Sequence, residues 1–183
     1  MRNDWCVDNA KLSELMSLLY FFGYLIYHFT QSLNGSTPWT VPDYIHHIFS
    51  AVGCIAAVFA GRYVATMATL SMIVEISTYF HNARLLMVIH KATASKVYLV
   101  NGIIFTLTFL IFRVIFQTWM VCTRLLPALV RDNYASSEPA FVRFCTIFTI
   151  TLYTCLMFLN YYWFSRIALG CIKVMTKKEK KRE

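Results

Sequence analysis

Five long apolar runs leave this chain few ways to fold. They extend from Leu15 to Thr30, Tyr44 to Ala60, Tyr63 to Phe80, Val97 to about Val121, and about Phe141 to Val174. A helix needs roughly 20 apolar residues to cross about 30 Å of hydrocarbon. Each run approaches or exceeds one crossing, although the first is short and the fifth has to tilt or emerge. Two-residue alternation is absent, which argues against a membrane β-barrel. A soluble fold fails on surface area: 58% of the 183 residues are hydrophobic and only 14% charged, and so small a domain has too little interior to hide them. The sequence predicts an all-α, polytopic transmembrane helix bundle of about five spans.

Punctuation divides the chain simply. Residues 1–11 read as an extramembrane segment, 12–174 as one membrane domain and 175–183 as a basic cytoplasmic tail. Gly61-Arg62 interrupts the second run, and Ser32 to Pro38 and Asn133 to Pro139 are turn-rich connections. The first run is not a signal peptide, because Asp4, Asp8 and Glu14 precede it and no small-residue cleavage site follows it. The six cysteines form no CxxC pair and mostly sit within apolar runs, as small apolar filler. The net charge of +8 does not point to nucleic acid. The densest basic run follows an apolar span directly, where anionic cytoplasmic lipid is the simpler partner.

Positive charge also orients the chain. From Arg166 onward there are seven Lys or Arg residues, and the connection after the third run carries Arg84, Lys91 and Lys96. The opposite side receives Arg2, Lys11, Arg62, Arg124, Arg131 and Arg143, ten against six, so the C-terminus is expected in the cytoplasm. Lys180 and Lys181 resemble a dilysine retrieval signal of the endoplasmic reticulum. The sequon Asn34-Gly35-Ser36 then falls on the cytosolic side and is expected to be unused.

Ionisable and amide groups inside the runs are the candidate functional residues. A charged group at a helix centre costs about 3 kcal/mol on insertion scales. His28, His46, His47, Glu75, Asn82, Asn101, Arg113 and Asn160 carry that kind of cost. Helical spacing sets Glu75, Tyr79 and Asn82 on one stripe, and Thr106, Arg113 and Gln117 on another. In the orientation above most of these residues fall in the cytoplasmic half of the bundle, where a polar pocket would open to the cytosol. A histidine near neutral pKa serves as general base or acyl acceptor, with Glu75 to orient it. Polar groups that fasten helices by hydrogen bonds are the other reading. Adjacent histidines lack the i, i+4 spacing of a helical metal pair, so neither a metal nor a cofactor is expected.

Several segments resemble the TLC-domain family, which includes ceramide synthases and the TRAM proteins. They are Tyr44-Ile45-His46-His47, Val74 through Arg84, Asn101-Gly102-Ile103-Ile104-Phe105, the phenylalanine-rich stretch ending at Arg113, and Ile167 to Val174. The resemblance implies a multi-pass protein of the endoplasmic reticulum or another endomembrane, concerned with lipid homeostasis, sphingolipid included. Its implied partners are membrane lipids and acyl-CoA. An acyl-CoA-dependent N-acyltransferase would use His46 and His47, with Glu75 tuning them; a lipid pocket would draw on His28, Asn82, Arg84, Asn101, Arg113 and Asn160. Three departures stand out. The family normally has a further helix or more ahead of the first run, which marks this chain as a candidate truncated product. An acidic residue is common where His28 stands. The Asp-containing segment that follows the paired histidines in ceramide synthases is missing, and Glu75 and Asn82 match the non-synthase branch better.

Overall fold

A computed structural model describes residues 12–35, 39–131 and 139–179, with the side chains of 62, 130, 131 and 173–179 left aside. The N-terminal segment 1–11, Ser36 of the sequon, most of the Asn133–Pro139 connection and the last four residues of the tail lie outside the described residues. All described elements are helical. They are α1 (Leu12–Leu33), α2 (Val41–Phe59), α3 (Arg62–Ser71), a 3₁₀ turn (Met72–Glu75) and α4 (Ile76–Ile89). Then come α5 (Lys96–Thr108), a π-helical segment (Phe109–Phe116), α6 (Gln117–Met120), a second π segment (Val121–Leu125), α7 (Leu126–Arg131) and α8 (Ala140–Glu179).

Among the described residues, four helical stretches are long and apolar enough to cross a membrane: Val41–Phe59, Tyr63–Ile89, Lys96–Leu129 and Ala140–Ile172. The chain is a polytopic helical membrane protein, as its composition requires. The first expected span is the difference. α1 is 22 residues long but is not among the four, because Ser13, Glu14, Ser17, His28, Thr30, Gln31 and Ser32 dilute its apolar content. The third span also runs nine residues beyond Phe80, to Ile89.

The described residues fall into two compact units, one drawn from Met1–Met72 and Trp119–Leu156, the other from Ile73–Thr118 and Met157–Glu183. In the first, α1 presents a single seam of buried residues, Leu18, Leu25 and Ser32, seven apart. Ala57, Ala60 and Ala65 are fully buried there with Leu18, Val64 and Ala68. Small side chains let helix backbones approach closely, which suits packing where lipid supplies no hydrophobic drive. Thr66 donates to Glu14 Oε1 at 2.7 Å, and Thr146 donates to the Ala60 carbonyl at 3.1 Å. Ser71 and Tyr153 are joined by their hydroxyls.

In the second unit Phe105, Phe109 and Val114 form the core, with Phe80, Trp163, Phe164 and Ile167 against it. Here α8 runs antiparallel to the chain from α5 to α6. Thr106 approaches Cys171 (4.0 Å), Phe109 stacks on Phe164 (centroids 6.4 Å), Gln117 bonds Asn160, and Thr118 bonds Tyr161 at 2.8 Å. The second π segment sits just before Pro127, whose missing N–H breaks the regular ladder.

The α2–α3 connection turns on Gly61, with φ +86° and ψ 168°. That region is essentially closed to residues with a Cβ. Gly61→Ala is therefore expected to cost about 1–3 kcal/mol and lower the midpoint of thermal unfolding in detergent. Gly23→Ala, in α1 with nothing within 4 Å of the added carbon, is expected to leave the midpoint unchanged or raise it.

Candidate functional site

In the second unit the side chain of Arg113 is only 7% exposed, and Arg113 lies at the midpoint of the Lys96–Leu129 stretch. Glu75 lies at the middle of Tyr63–Ile89. The two meet: Arg113 Nη2 donates to Glu75 Oε1 at 3.0 Å and to Thr78 Oγ1 at 2.8 Å, while Nε donates to Ser77 Oγ at 2.8 Å. The hydroxyls pass their own protons on. Thr78 donates to Glu75 Oε2 at 2.6 Å, and Ser77 to the Val74 carbonyl at 3.0 Å. The Phe109 ring centroid lies 5.6 Å from the guanidinium carbon. A charge in this setting is tolerable only when paired and hydrogen-bonded, and both conditions are met.

Local backbone irregularity delivers both partners. Glu75 closes the 3₁₀ turn, and Arg113 sits inside the first π segment. Wider or tighter turns rotate side chains off the regular helical face, and π segments recur at functional sites. This is also why the Glu75–Tyr79–Asn82 stripe does not hold together: Tyr79 is 76% exposed and Asn82 is exposed too. The inward stripe is Ser77, Phe80 and Arg84, with His81 exposed at its edge. Ser77 meets Arg113, the Phe80 carbonyl accepts from Asn101 Nδ2 at 2.9 Å, His81 lies 5.6 Å from Phe105, and Arg84 stacks over Tyr98 at 4.2 Å.

One turn beyond Arg113, the buried amides of Gln117 and Asn160 are bonded to each other. Asn160 Oδ1 is buried and accepts no hydrogen bond among the described residues. Arg113 spends only Nε and Nη2 on its neighbours. The cluster thus keeps an unused acceptor on Asn160 and the unused Nη1 donors of Arg113 within a mostly apolar bundle. Ser77 and Thr78 were not singled out from the sequence, although two hydroxyls within three residues of an intramembrane glutamate are a readable signal.

The candidate imidazoles of His28, His46 and His47 belong to the first unit. The Asp43 carboxylate caps the start of α2, accepting from Thr40 N at 2.8 Å and its hydroxyl at 2.6 Å. One turn on, His47 Nδ1 bonds the Asp43 carbonyl at 2.9 Å. A carbonyl only accepts, so Nδ1 carries a proton. Trp39 stacks on the His47 ring at 4.0 Å, His28 lies 6.0 Å away on a near-parallel plane, and Tyr24 packs on His28 at 4.4 Å. His46 meets His47 edge-on at 5.4 Å. Trp39 and Tyr24, unremarked in the sequence, complete this ring stack. Among the described residues no three His, Cys, Asp or Glu side chains gather as a metal site.

The sequence matches the family model of the TLC domain (TRAM, LAG1 and CLN8 type) over residues 3–169. The chain belongs to the TLC-domain family. That membership ties this multi-pass protein to lipid metabolism or homeostasis in general terms. Neither a curated protein nor a solved structure matches it.

Breaking one side of the buried pair in this TLC domain leaves the other charge uncompensated. Glu75→Leu is expected to destabilise by about 3–5 kcal/mol, and Glu75→Leu with Arg113→Met by markedly less. A double-mutant cycle on unfolding midpoints measures the coupling; additive losses would show that the pair is not coupled.

Proposed function

We propose that this TLC-domain protein binds membrane lipid at the Arg113–Gln117–Asn160 cluster, and serves lipid homeostasis by sensing or moving that lipid. The observation that carries the reading is Asn160 Oδ1, buried among apolar helices and accepting no hydrogen bond among the described residues. A buried polar atom without a partner costs about 1–3 kcal/mol, which a ligand group recovers. Glu75 already neutralises Arg113. The group bound there is therefore uncharged, a hydroxyl or carbonyl. The setting is the endoplasmic reticulum or another endomembrane, with the C-terminus in the cytosol, on the strength of the basic tail. Within the family, the Glu75 to Asn82 segment supports a likeness to the branch of TLC domain-containing protein 4 (transmembrane protein 56).

Native mass spectrometry of the purified full chain tests this. Lipid is expected to co-purify, and Arg113→Lys or Asn160→Leu to lower its occupancy by about tenfold, the worth of one hydrogen bond to a charged or buried group. Unchanged occupancy in folded variants rejects the cluster as the binding site.

A second reading, an acyl-CoA-dependent N-acyltransferase, is favoured by the His47 ring, which the Asp43 carbonyl and the Trp39 stack hold in a fixed orientation beside His46. On that reading His47 deprotonates the attacking amine and His46 assists, with the acyl group passing from sulfur to nitrogen and CoA leaving as the thiol. Labelled acyl-CoA and a sphingoid base supply the test. CoA release that disappears in folded His46→Ala and His47→Ala supports turnover; release that persists in both excludes these histidines.

A further inference from the structure

The turn between α4 and α5 carries features that the mid-membrane cluster does not use. Between residues 76 and 131 the sequence has no Asp or Glu, so Arg84, Lys91 and Lys96 are not neutralised locally. The turn itself is firmly built. Ala92 N bonds the Met87 carbonyl at 2.8 Å and Lys91 N the Val88 carbonyl at 3.0 Å, the paired bonds of a Schellman ending. Ser95 then caps α5, accepting from Tyr98 N at 3.1 Å. The left-handed residue of the ending is Lys91, at φ +55°. Glycine takes this position at lower cost, by roughly 1 kcal/mol, so a charge is held here against backbone preference.

Arg84 is the better-placed cation. Its guanidinium carbon lies over the Tyr98 ring, 4.2 Å from the centroid. It also presses on Gly102, where an added Cβ would stand 2.7 Å from Nη1. Gly102 thus gives the guanidinium its berth, and the Tyr98 ring backs it. No described residue accepts a hydrogen bond from it. Arg84 is half-buried, five residues before the end of the Tyr63–Ile89 stretch, a depth of about 8 Å at 1.5 Å per residue. A side chain at that depth reaches the headgroup layer.

We infer that Arg84, seated between Tyr98 and Gly102, binds the phosphate of an anionic phospholipid at the membrane surface, with Lys91 and Lys96 adding field. A planar fork of N–H donors matches two phosphate oxygens, and stacking on an aromatic ring fixes the fork in advance. This site is separate from the uncharged-group cluster at Arg113 and rests only on the chain being a membrane protein.

The test is titration of the full chain in neutral detergent, by native mass spectrometry, with phosphatidylglycerol, phosphatidylcholine of the same acyl chains, and inorganic phosphate. Phosphatidylglycerol is expected to bind in preference to both. Arg84→Lys, which keeps the charge and loses the fork, is expected to weaken it about tenfold. Gly102→Ala is the sharper variant. It favours the helix and meets only the flexible end of Arg84, so stability holds while the guanidinium is displaced and affinity falls several-fold. Lys91→Ala with Lys96→Ala is expected to lose less than Arg84→Lys. Wild-type affinity in folded Arg84→Lys or Gly102→Ala overturns the inference. So does a larger loss in the double lysine variant, which assigns binding to diffuse charge. Equal binding of phosphatidylcholine removes the anionic requirement, and equal binding of inorganic phosphate assigns a soluble ligand; either overturns the claim. Loss in Asn160→Leu without loss in Arg84→Lys moves the lipid to the Arg113 cluster, which sinks this inference and leaves the proposed function standing.

Discussion

The pairing of Arg113 with Glu75 is the constraint around which the second unit is organised. Each sits at the middle of its apolar stretch, where an isolated charge is least tolerable. Meeting that demand takes more than proximity. The guanidinium needs acceptors, and Ser77 and Thr78 supply them. The carboxylate needs donors, and Thr78 supplies a second. Bringing these groups together requires a 3₁₀ turn on one helix and a π segment on the other. The departures from regular helix are thus how the electrostatic demand is met.

The remaining polar atoms of that unit follow the same logic at lower cost. Asn101 reaches the Phe80 carbonyl, and Gln117 and Asn160 bond each other. Along the inward face of α4 the chemistry changes with depth: the ion pair with Ser77, then the apolar contacts of Phe80, then Arg84 on Tyr98 near the helix end. An arginine needs an acidic partner at mid-membrane, whereas one near the surface needs only an aromatic face and access to headgroups or water.

The first unit solves a different problem. It holds its helices with alanines and with hydroxyl bonds to backbone carbonyls, which suit close approach without a hydrophobic drive. Its histidines are fixed by stacking and by the Asp43 carbonyl. α1 is held by a narrow seam and by Glu14 and Ser32, which bond Thr66 and Tyr44. Those polar side chains account for its failing the measure of a spanning helix, despite a run of leucine and aromatics.

The sequence by itself determined that the chain lives in a membrane as helices, because hydrocarbon length and backbone hydrogen bonding leave a run of apolar residues no other form. It also marked Glu75, Asn101, Arg113 and Asn160 as costly, since that cost depends only on residue type and surroundings. Which of these groups meet was decided by tertiary structure. Regular spacing put Asn82 beside Glu75 and passed over Ser77, because a periodicity of 3.6 cannot foresee a tightened turn at Met72–Glu75 or a widened one at Phe109–Phe116. The berth of Arg84 against Gly102 was equally hidden: a glycine in a helix declares its purpose only when another chain segment is seen to fill the space its missing side chain leaves.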